Sequence, residues 1–298
     1  MGLALAAGEA WIDPFAPAGA LDQKILWELR WPRVQTAAAI GALLALAGAA
    51  FQLVLGNPLA EPYVLGIAGA SAVGAIGGLA LAPAEPWPTS LGAFAGACAG
   101  IAALMPFVRL GPHRLLLAGV VLGSLWGAAV ATLLALLPER ELGRALGWMM
   151  GNLASDTLPP FALWSSVATL LVAGLALAPR LDRLLLGEDH AAALGTPVRA
   201  LRWGALLLAS AATAVAVTAA GTIGFVGLVV PHAARLIFGP LHRALLPAAA
   251  LGGAALLVLA DLGSRVLIAP AELPVGVVTA LIGVPVFLWL LLRRAAWN

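Results

Sequence analysis

Charged side chains are scarce in this sequence: they make up 10% of its 298 residues, whereas 62% of the residues are hydrophobic. An ordinary soluble domain carries roughly 25% charged residues. The composition therefore excludes an ordinary soluble domain and predicts a polytopic membrane protein.

Lysine is almost absent, since Lys24 is the only one in the chain. A phosphate-binding loop needs a lysine within a glycine-rich sequence, and no such loop surrounds Lys24. The chain is therefore not an ATPase, and any ATP and magnesium would be bound by a partner chain. The arginines are scattered over loop positions instead of clustered on one face, which argues against a nucleic-acid partner.

Cysteine occurs once, at Cys98, which excludes a disulfide within the chain and a multi-cysteine metal site. Cys98 lies in an apolar run, where we expect a small buried side chain. No two histidines have the spacing of a zinc-binding helix. Ser71 follows Gly69-Ala70 as in a nucleophile elbow, but Val73 replaces the closing glycine. We therefore expect no catalytic residue, no bound metal and no cofactor in this chain.

Ionisable residues are missing from the central parts of the apolar runs. An ion-coupled secondary transporter needs such residues near the bilayer midplane, where they bind the coupling ion. A secondary transporter of a small solute is the alternative hypothesis for this chain, and it lacks a candidate ion site.

Apolar runs long enough to cross a bilayer, roughly 17 to 25 residues each, recur along the whole sequence. They predict an all-α fold with about nine transmembrane helices, forming one transmembrane domain over residues 1–298. With a cytoplasmic C-terminus, ten basic residues lie inside and six lie outside, as the positive-inside rule favours. The runs are Val34–Leu55, Val64–Ala82, Thr89–Val108, Leu115–Leu137, Phe161–Ala178, Trp203–Ala219, Ile223–Phe238, Leu245–Ile268 and Leu273–Leu292.

The segment Gly221–Arg243 is unusual for a membrane span. It is short, begins with three closely spaced glycines and contains Pro231, His232 and Arg235. Glycines let helix backbones approach closely, and proline in a span is tolerated where neighbouring helices satisfy the freed carbonyl. We expect this segment to be buried in protein.

The same segment resembles the signature of a known family. Gly224-Phe225-Val226-Gly227-Leu228-Val229-Val230-Pro231-His232 is similar to a block of the iron-siderophore, haem and vitamin B12 permeases of bacterial ABC importers, which are type II importers. Four more blocks follow the family order and extend the resemblance over most of the chain. They are Arg30-Trp31-Pro32-Arg33, Asn57-Pro58-Leu59-Ala60-Glu61-Pro62, Leu186-Gly187-Glu188 with Leu194-Gly195, and Glu272-Leu273-Pro274-Val275-Gly276.

The resemblance implies ten transmembrane helices, one more than the sequence supplies. The block Ala7-Gly8-Glu9-Ala10-Trp11-Ile12 matches the end of the family's first helix. The resemblance therefore implies that most of that helix is missing, and a start codon assigned too late is the expected reason. True loss of the helix is the other explanation.

The resemblance also implies a function and a set of partners. It identifies the chain as the permease subunit of an importer in the bacterial inner membrane, which moves a metal chelate from periplasm to cytoplasm by alternating access. Iron-siderophores, haem and vitamin B12 are the candidate chelates. The implied partners are a second permease copy, two ATPase subunits inside, one substrate-binding protein outside, and membrane lipid.

Three groups of site residues follow from the resemblance. Arg30 and Arg265 would dock the binding protein, although Arg30 could instead be an interfacial anchor and Arg265 could merely pair with Asp261. A cytoplasmic gate would include Asn57, Pro58 and Leu59, which could also form a plain turn, and a second gating loop at Pro112 and His113. ATPase coupling would use the charged loop between two spans, which could also be merely solvated; its residues are Leu186, Gly187, Glu188, Ala191, Leu194 and Gly195.

Two further expectations concern the outer side. Asp261 and Arg265, four residues apart, would form an ion pair near the outer end of their helix, because a charge at mid-membrane costs about 2.5–3.5 kcal/mol. The polar segment from Pro138 to Pro160 would lie outside the membrane.

Overall fold

A computed structural model describes residues 2–7, 11–63, 65–85, 87–154 and 158–295, and these residues are helical apart from their connections. Within them, six helices are long and apolar enough to cross a membrane, and three shorter apolar helices accompany them. The helices are α1 Gly2–Ala6, α2 Ala20–Lys24, α3 Trp31–Leu55, α4 Ile67–Leu81, α5 Trp87–Leu104, α6 Pro112–Leu136, α7 Glu139–Met149, α8 Pro160–Leu184, α9 Glu188–Ala193, α10 Val198–Ala220, α11 Val226–Phe238, α12 His242–Val266 and α13 Val275–Ala295.

Helix α3 lies at the centre of the bundle. Its most apolar window is 89% buried, whereas the corresponding windows of α5, α6 and α8 are 17–22% buried. Alanine and glycine dominate α3, so neighbouring helices can approach its backbone. A Cβ on Gly41 would lie 2.1 Å from the carbonyl oxygen of Gly253 in α12, and one on Gly48 would lie 1.9 Å from that of Gly227 in α11. Packing of small residues is how helices associate without a hydrophobic force between them.

Helices α4 and α5 form a second close pair. A Cβ on Gly92 would meet the carbonyl oxygen of Gly74 at 2.1 Å, and one on Gly96 would meet that of Ala70 at 2.2 Å. Ser71, considered above as a possible nucleophile, donates a 2.8 Å hydrogen bond to the carbonyl of Ala93. The serine therefore contributes to helix packing.

The two ends of the bundle are identified by the helix connections that lie at each of them. The C-terminus of α3 lies with the start of α10 and α9, because Arg202 bonds both Val54 and Glu188. We call this the inner end, following the sequence-based orientation. At the outer end, the Gly276 N–H of α13 donates to the Met150 carbonyl that follows α7.

The predicted burial of the segment Gly221–Arg243 is confirmed for Val226 through His232, which are all buried. It is wrong for the end of α11 and the turn after it, where Leu236, Ile237, Phe238 and Leu241 are more than half exposed.

The first span is longer than the apolar run from Val34 to Leu55. Its helix begins at Ala20, with a π-helical turn at Ile25–Arg30 before α3. Another expectation was wrong: Cys98 is exposed, because the described part of the chain leaves that face of α5 uncovered.

The segment from Pro138 to Pro160 contains a helix that the sequence analysis missed. Helix α7 is amphipathic, with Glu139 and Glu141 in its first turn and Ala145 buried. Acidic residues favour a helix N-terminus, so the signal was present. Of the block that matches the family's first helix, Gly8, Glu9 and Ala10 lie outside the described residues.

Candidate functional site

A cluster of charges joins α3, α12 and the connection to α13 at the outer end. Asp261 is fully buried and accepts hydrogen bonds from Arg33 Nε at 2.7 Å and from Arg265 Nε at 3.1 Å. Glu272 accepts from both terminal nitrogens of Arg33, at 3.1 and 3.0 Å. The expected pair of Asp261 and Arg265 near the end of α12 is thus confirmed, and Arg33 is the partner that the sequence analysis did not identify.

Arg30 and Arg265, the predicted docking residues, lie side by side against the C-terminal end of α1. Arg30 donates to the Leu5 and Ala6 carbonyls, both at 2.7 Å. Arg265 donates to the carbonyls of Ala7 at 2.8 Å and Ala4 at 2.9 Å, and it is 7% exposed. The last carbonyls of a helix lack intrahelical partners and favour cations. The structure brings the two arginines together, with α1 as their shared partner.

The predicted gate at Asn57, Pro58 and Leu59 begins directly after α3. Gly56 has φ 57°, and the side-chain oxygen of Asn57 accepts a 2.9 Å hydrogen bond from the Leu59 N–H. Asn57 and Pro58 are half-buried, whereas Leu59 is 44% exposed. A local side-chain bond of this kind is typical of an ordered turn. The residues Asn57–Leu59 therefore form an ordered turn.

The rest of this loop packs against the connection between α10 and α11. Phe225 N–H donates to Glu61 Oε2 at 3.3 Å, and Ile223 N–H donates to the Tyr63 hydroxyl. Phe225 has φ 69°, which makes it the single non-glycine with positive φ among the described residues. Burial raises the pKa of the Glu61 carboxyl, and the Phe225 N–H opposes that shift. The loop after α3 and the start of α11 thus form one bonded unit.

An open groove of about 720 Å³ runs beside this unit. Its wall is mainly apolar, and the end of α7 and the first half of α13 complete it. Polar groups enter the wall at Glu61, Tyr63 and Thr222. Thr222 donates its hydroxyl to the Met149 carbonyl, which ties the wall to α7.

The second predicted gating segment lies at the start of α6. Pro112 is the first residue of that helix and is half-buried, and His113 is exposed. Among the described residues, no hydrogen bond joins this pair to the turn at Asn57–Leu59.

The predicted coupling residues project from the inner end as a short exposed helix. Gly187 and Gly195 flank α9 with φ of 96° and 75°. Leu186 is 62% exposed and Leu194 is 56% exposed, whereas Ala191 is fully buried and anchors the helix. Glu188 is exposed and pairs with Arg202. Exposed leucines on a projecting helix are suited to contact with another chain.

Gln52 is a buried polar residue that the sequence analysis did not identify. Its Nε2 donates to the carbonyls of Gly227 at 3.4 Å and Leu228 at 3.2 Å, and its Oε1 accepts from Arg235 Nη1 at 2.9 Å. In a regular helix the Gly227 carbonyl would accept from residue 231, but Pro231 has no N–H. A glutamine in an otherwise apolar span and a proline in α11 were the available signals.

The profile of the FecCD transport family matches residues 2–293. This chain belongs to the FecCD transport family. The vitamin B12 import system permease protein BtuC of Vibrio cholerae is 43% identical over 298 residues, covering 98% of this chain and 90% of that protein. The protein of the same description from Salmonella typhi is 39% identical over 297 residues, covering 98% and 91%.

One solved structure agrees with this assignment, and a second shares the fold. A chain described as a metal-chelate type ABC transporter in an inward-facing conformation matches with a TM-score of 0.87 and 31% identity, covering 98% of this chain and 94% of that chain. PsaBC from Streptococcus pneumoniae, in complex with Fab, shares the fold at a TM-score of 0.63 and 18% identity, covering 91% and 93%.

The chain is therefore the permease of an ABC importer of the bacterial inner membrane, and a separate ATPase binds the ATP. This FecCD permease works with an ATPase and a binding protein. The importer prediction is confirmed, and the ion-coupled alternative is set aside.

Proposed function

We propose that this permease imports vitamin B12. The observation that carries the proposal is similarity over nearly the whole chain to vitamin B12 import permeases, at 43% identity for the Vibrio cholerae protein. Iron-siderophores and haem are the other chelates that the family resemblance allows. The groove of about 720 Å³ has a mainly apolar wall with few polar groups, which suits a large chelate that must pass without being held.

The permease acts as a homodimer in this proposal. The groove is open along one side, and α13 presents Leu281, Leu288 and Trp289 with 66%, 55% and 51% of their surfaces exposed. A second copy, related by a two-fold axis, would close the groove and cover these side chains. The single transmembrane domain over residues 1–298 would then supply half of the pathway.

We assign three working parts to each copy. The turn Asn57–Leu59, with Pro112 and His113, is the cytoplasmic gate, which we call the gate segment. Residues 186–195 are the coupling segment, which contacts the ATPase. Arg30 and Arg265 dock the binding protein, whose acidic side chains would have to compete with the α1 carbonyls for the two guanidinium groups.

The test is uptake by the complex of permease, ATPase and binding protein in liposomes. Labelled vitamin B12 should accumulate when ATP is present inside the compartment that corresponds to the cytoplasm. Haem and a ferric siderophore, offered at equal concentration, should accumulate much less. Uptake of either chelate in place of vitamin B12 would contradict the cargo assignment.

Docking is tested separately by ATP hydrolysis in nanodiscs, with and without binding protein. We expect the binding protein to stimulate hydrolysis by the wild type and to stimulate an Arg30→Glu variant less. Arg30→Gln keeps a hydrogen-bond donor to the α1 carbonyls and serves as the matched control for folding. Equal stimulation of all three proteins would show that Arg30 is a structural residue.

A further inference from the structure

The end of α3 leaves the Val54 carbonyl without a donor from its own helix. Gly56 N–H bonds the Leu53 carbonyl and Asn57 N–H bonds the Gln52 carbonyl, as in a Schellman ending. The chain leaves the helix at Gly56, which has φ 57°, and Pro58 has no N–H, so residue 58 does not bond the Val54 carbonyl. An acceptor therefore remains at the buried end of the helix.

Arg202, in the second turn of α10, donates a hydrogen bond to the Val54 carbonyl. Its Nη2 donates to the Val54 carbonyl at 2.7 Å, and its Nη1 donates to Glu188 Oε1. The Arg202 side chain is 17% exposed. The planar guanidinium presents several donors in a rigid fork, so one side chain holds both partners at once.

The two partners of Arg202 belong to different working parts. Glu188 is the first residue of α9, within the coupling segment, and Val54 lies three residues before Asn57 of the gate segment. We propose that Arg202 is a positioning residue that transmits movement of the coupling segment to the gate segment. The proposal rests on the roles assigned to those two segments under the proposed function.

The end of α3 is also bonded to α11. Gln52 donates to two carbonyls of α11 and accepts from Arg235. Glu61, beyond the gate segment, accepts from the N–H of Phe225 at the start of α11. A displacement that Arg202 imposes on the last turn of α3 therefore acts on the loop and on α11 together.

An ordinary surface ion pair is the competing account of Arg202. Exposed pairs contribute little to stability, and Glu188 is 54% exposed in its side chain. The bond from Arg202 to the Val54 carbonyl distinguishes the two accounts. An ion pair needs only opposite charges at positions 188 and 202. Transmission of movement from α9 to α3 needs a side chain at position 202 that donates hydrogen bonds to both helices.

The experiment compares the number of cargo molecules transported per ATP hydrolysed in the reconstituted complex. We expect Arg202→Gln to assemble with the ATPase and to hydrolyse ATP, while transport per ATP falls about fivefold or more, within the usual range of coupling between sites. Arg199→Gln is the matched control, because Arg199 is exposed one turn earlier on the same helix. It should keep the wild-type ratio.

The charge swap Glu188→Arg with Arg202→Glu is the second variant. It restores opposite charges, but a glutamate cannot donate to the Val54 carbonyl, so we expect the ratio to stay low. A wild-type ratio in the swap or in Arg202→Gln would overturn the proposal. So would a fall in transport that only follows a fall in hydrolysis. A wild-type complex that hydrolyses ATP without importing vitamin B12 would instead contradict the proposed function.

Discussion

The carboxylate of Asp261 accepts a 2.7 Å hydrogen bond from Arg33, which lies 228 residues earlier in the chain. Asp261 also pairs with Arg265 and is fully buried. It therefore offsets two cations and fastens the start of α3 to the end of α12.

Replacing Asp261 by asparagine should destabilise the protein strongly. The change leaves two arginines without their shared carboxylate, and removal of one partner from a buried ion pair costs about 3–5 kcal/mol. The free energy of unfolding in mixed micelles would measure the loss. Glu272→Gln is the control, since its side chain is 52% exposed and the expected loss is below about 1 kcal/mol. Equal losses in the two variants would show that the burial of Asp261 does not determine the cost of removing its charge.

Gly48→Ala should separate α3 from α11. The new methyl group would lie 1.9 Å from the Gly227 carbonyl oxygen, so one helix must shift. We expect a loss of about 1–3 kcal/mol, as for other overpacked cores. Gly77→Ala on α4 is the comparison, because no atom lies within 4 Å of a Cβ there, and it should be neutral or slightly stabilising. A neutral Gly48→Ala would show that the helices are less tightly packed than described.

Gln52→Leu should cost about 1–3 kcal/mol, because it leaves the buried Gly227 carbonyl of α11 without a donor. Pro231→Ala restores the N–H that the Gly227 carbonyl lacks. The leucine substitution should therefore cost less in the Pro231→Ala background than in the wild type. A double-mutant cycle on the free energy of unfolding measures this coupling, and strict additivity would mean that Gln52 does not replace the missing donor.

Glu61 should make stability depend on pH. Burial raises the pKa of its carboxyl above the ordinary value of 4.5, so the folded chain holds the proton more tightly than the unfolded chain. Its neutral form therefore favours folding below pH 4.5, and that advantage is lost as pH rises through the raised folded pKa. Thermal midpoints between about pH 4 and 7 should fall less with pH in Glu61→Gln than in the wild type.

Glu85→Gln is the control for that titration, because Glu85 is exposed in the loop between α4 and α5. It should retain the pH dependence of the wild type. If Glu85→Gln flattens the curve as much as Glu61→Gln does, the dependence belongs to the net charge of the protein.

Local patterns predicted the spans well and the contacts between them poorly. The apolar runs and the prolines at 58 and 231 were visible, and so was the pairing of Asp261 with Arg265 at helical spacing. The hydrogen-bond donors Arg202 and Gln52 could not be predicted, because each bonds a residue that is distant in the sequence. Arg202 bonds Val54 across 148 residues, and Gln52 bonds Gly227 across 175. Helix α7 was missed for a different reason: its polar face was interpreted as a connection between spans.

The burial of α3 determines which helices respond directly to the thickness of the bilayer. A span that touches acyl chains must match the thickness of the bilayer, or it tilts and distorts its surroundings. Helix α3 is surrounded by protein over most of its length, whereas α5 and α8 are open to their surroundings. A thinner or thicker bilayer would therefore act first on the peripheral helices. The end of α3, beside the proposed gate segment, would respond only to the displacements that those helices transmit to it.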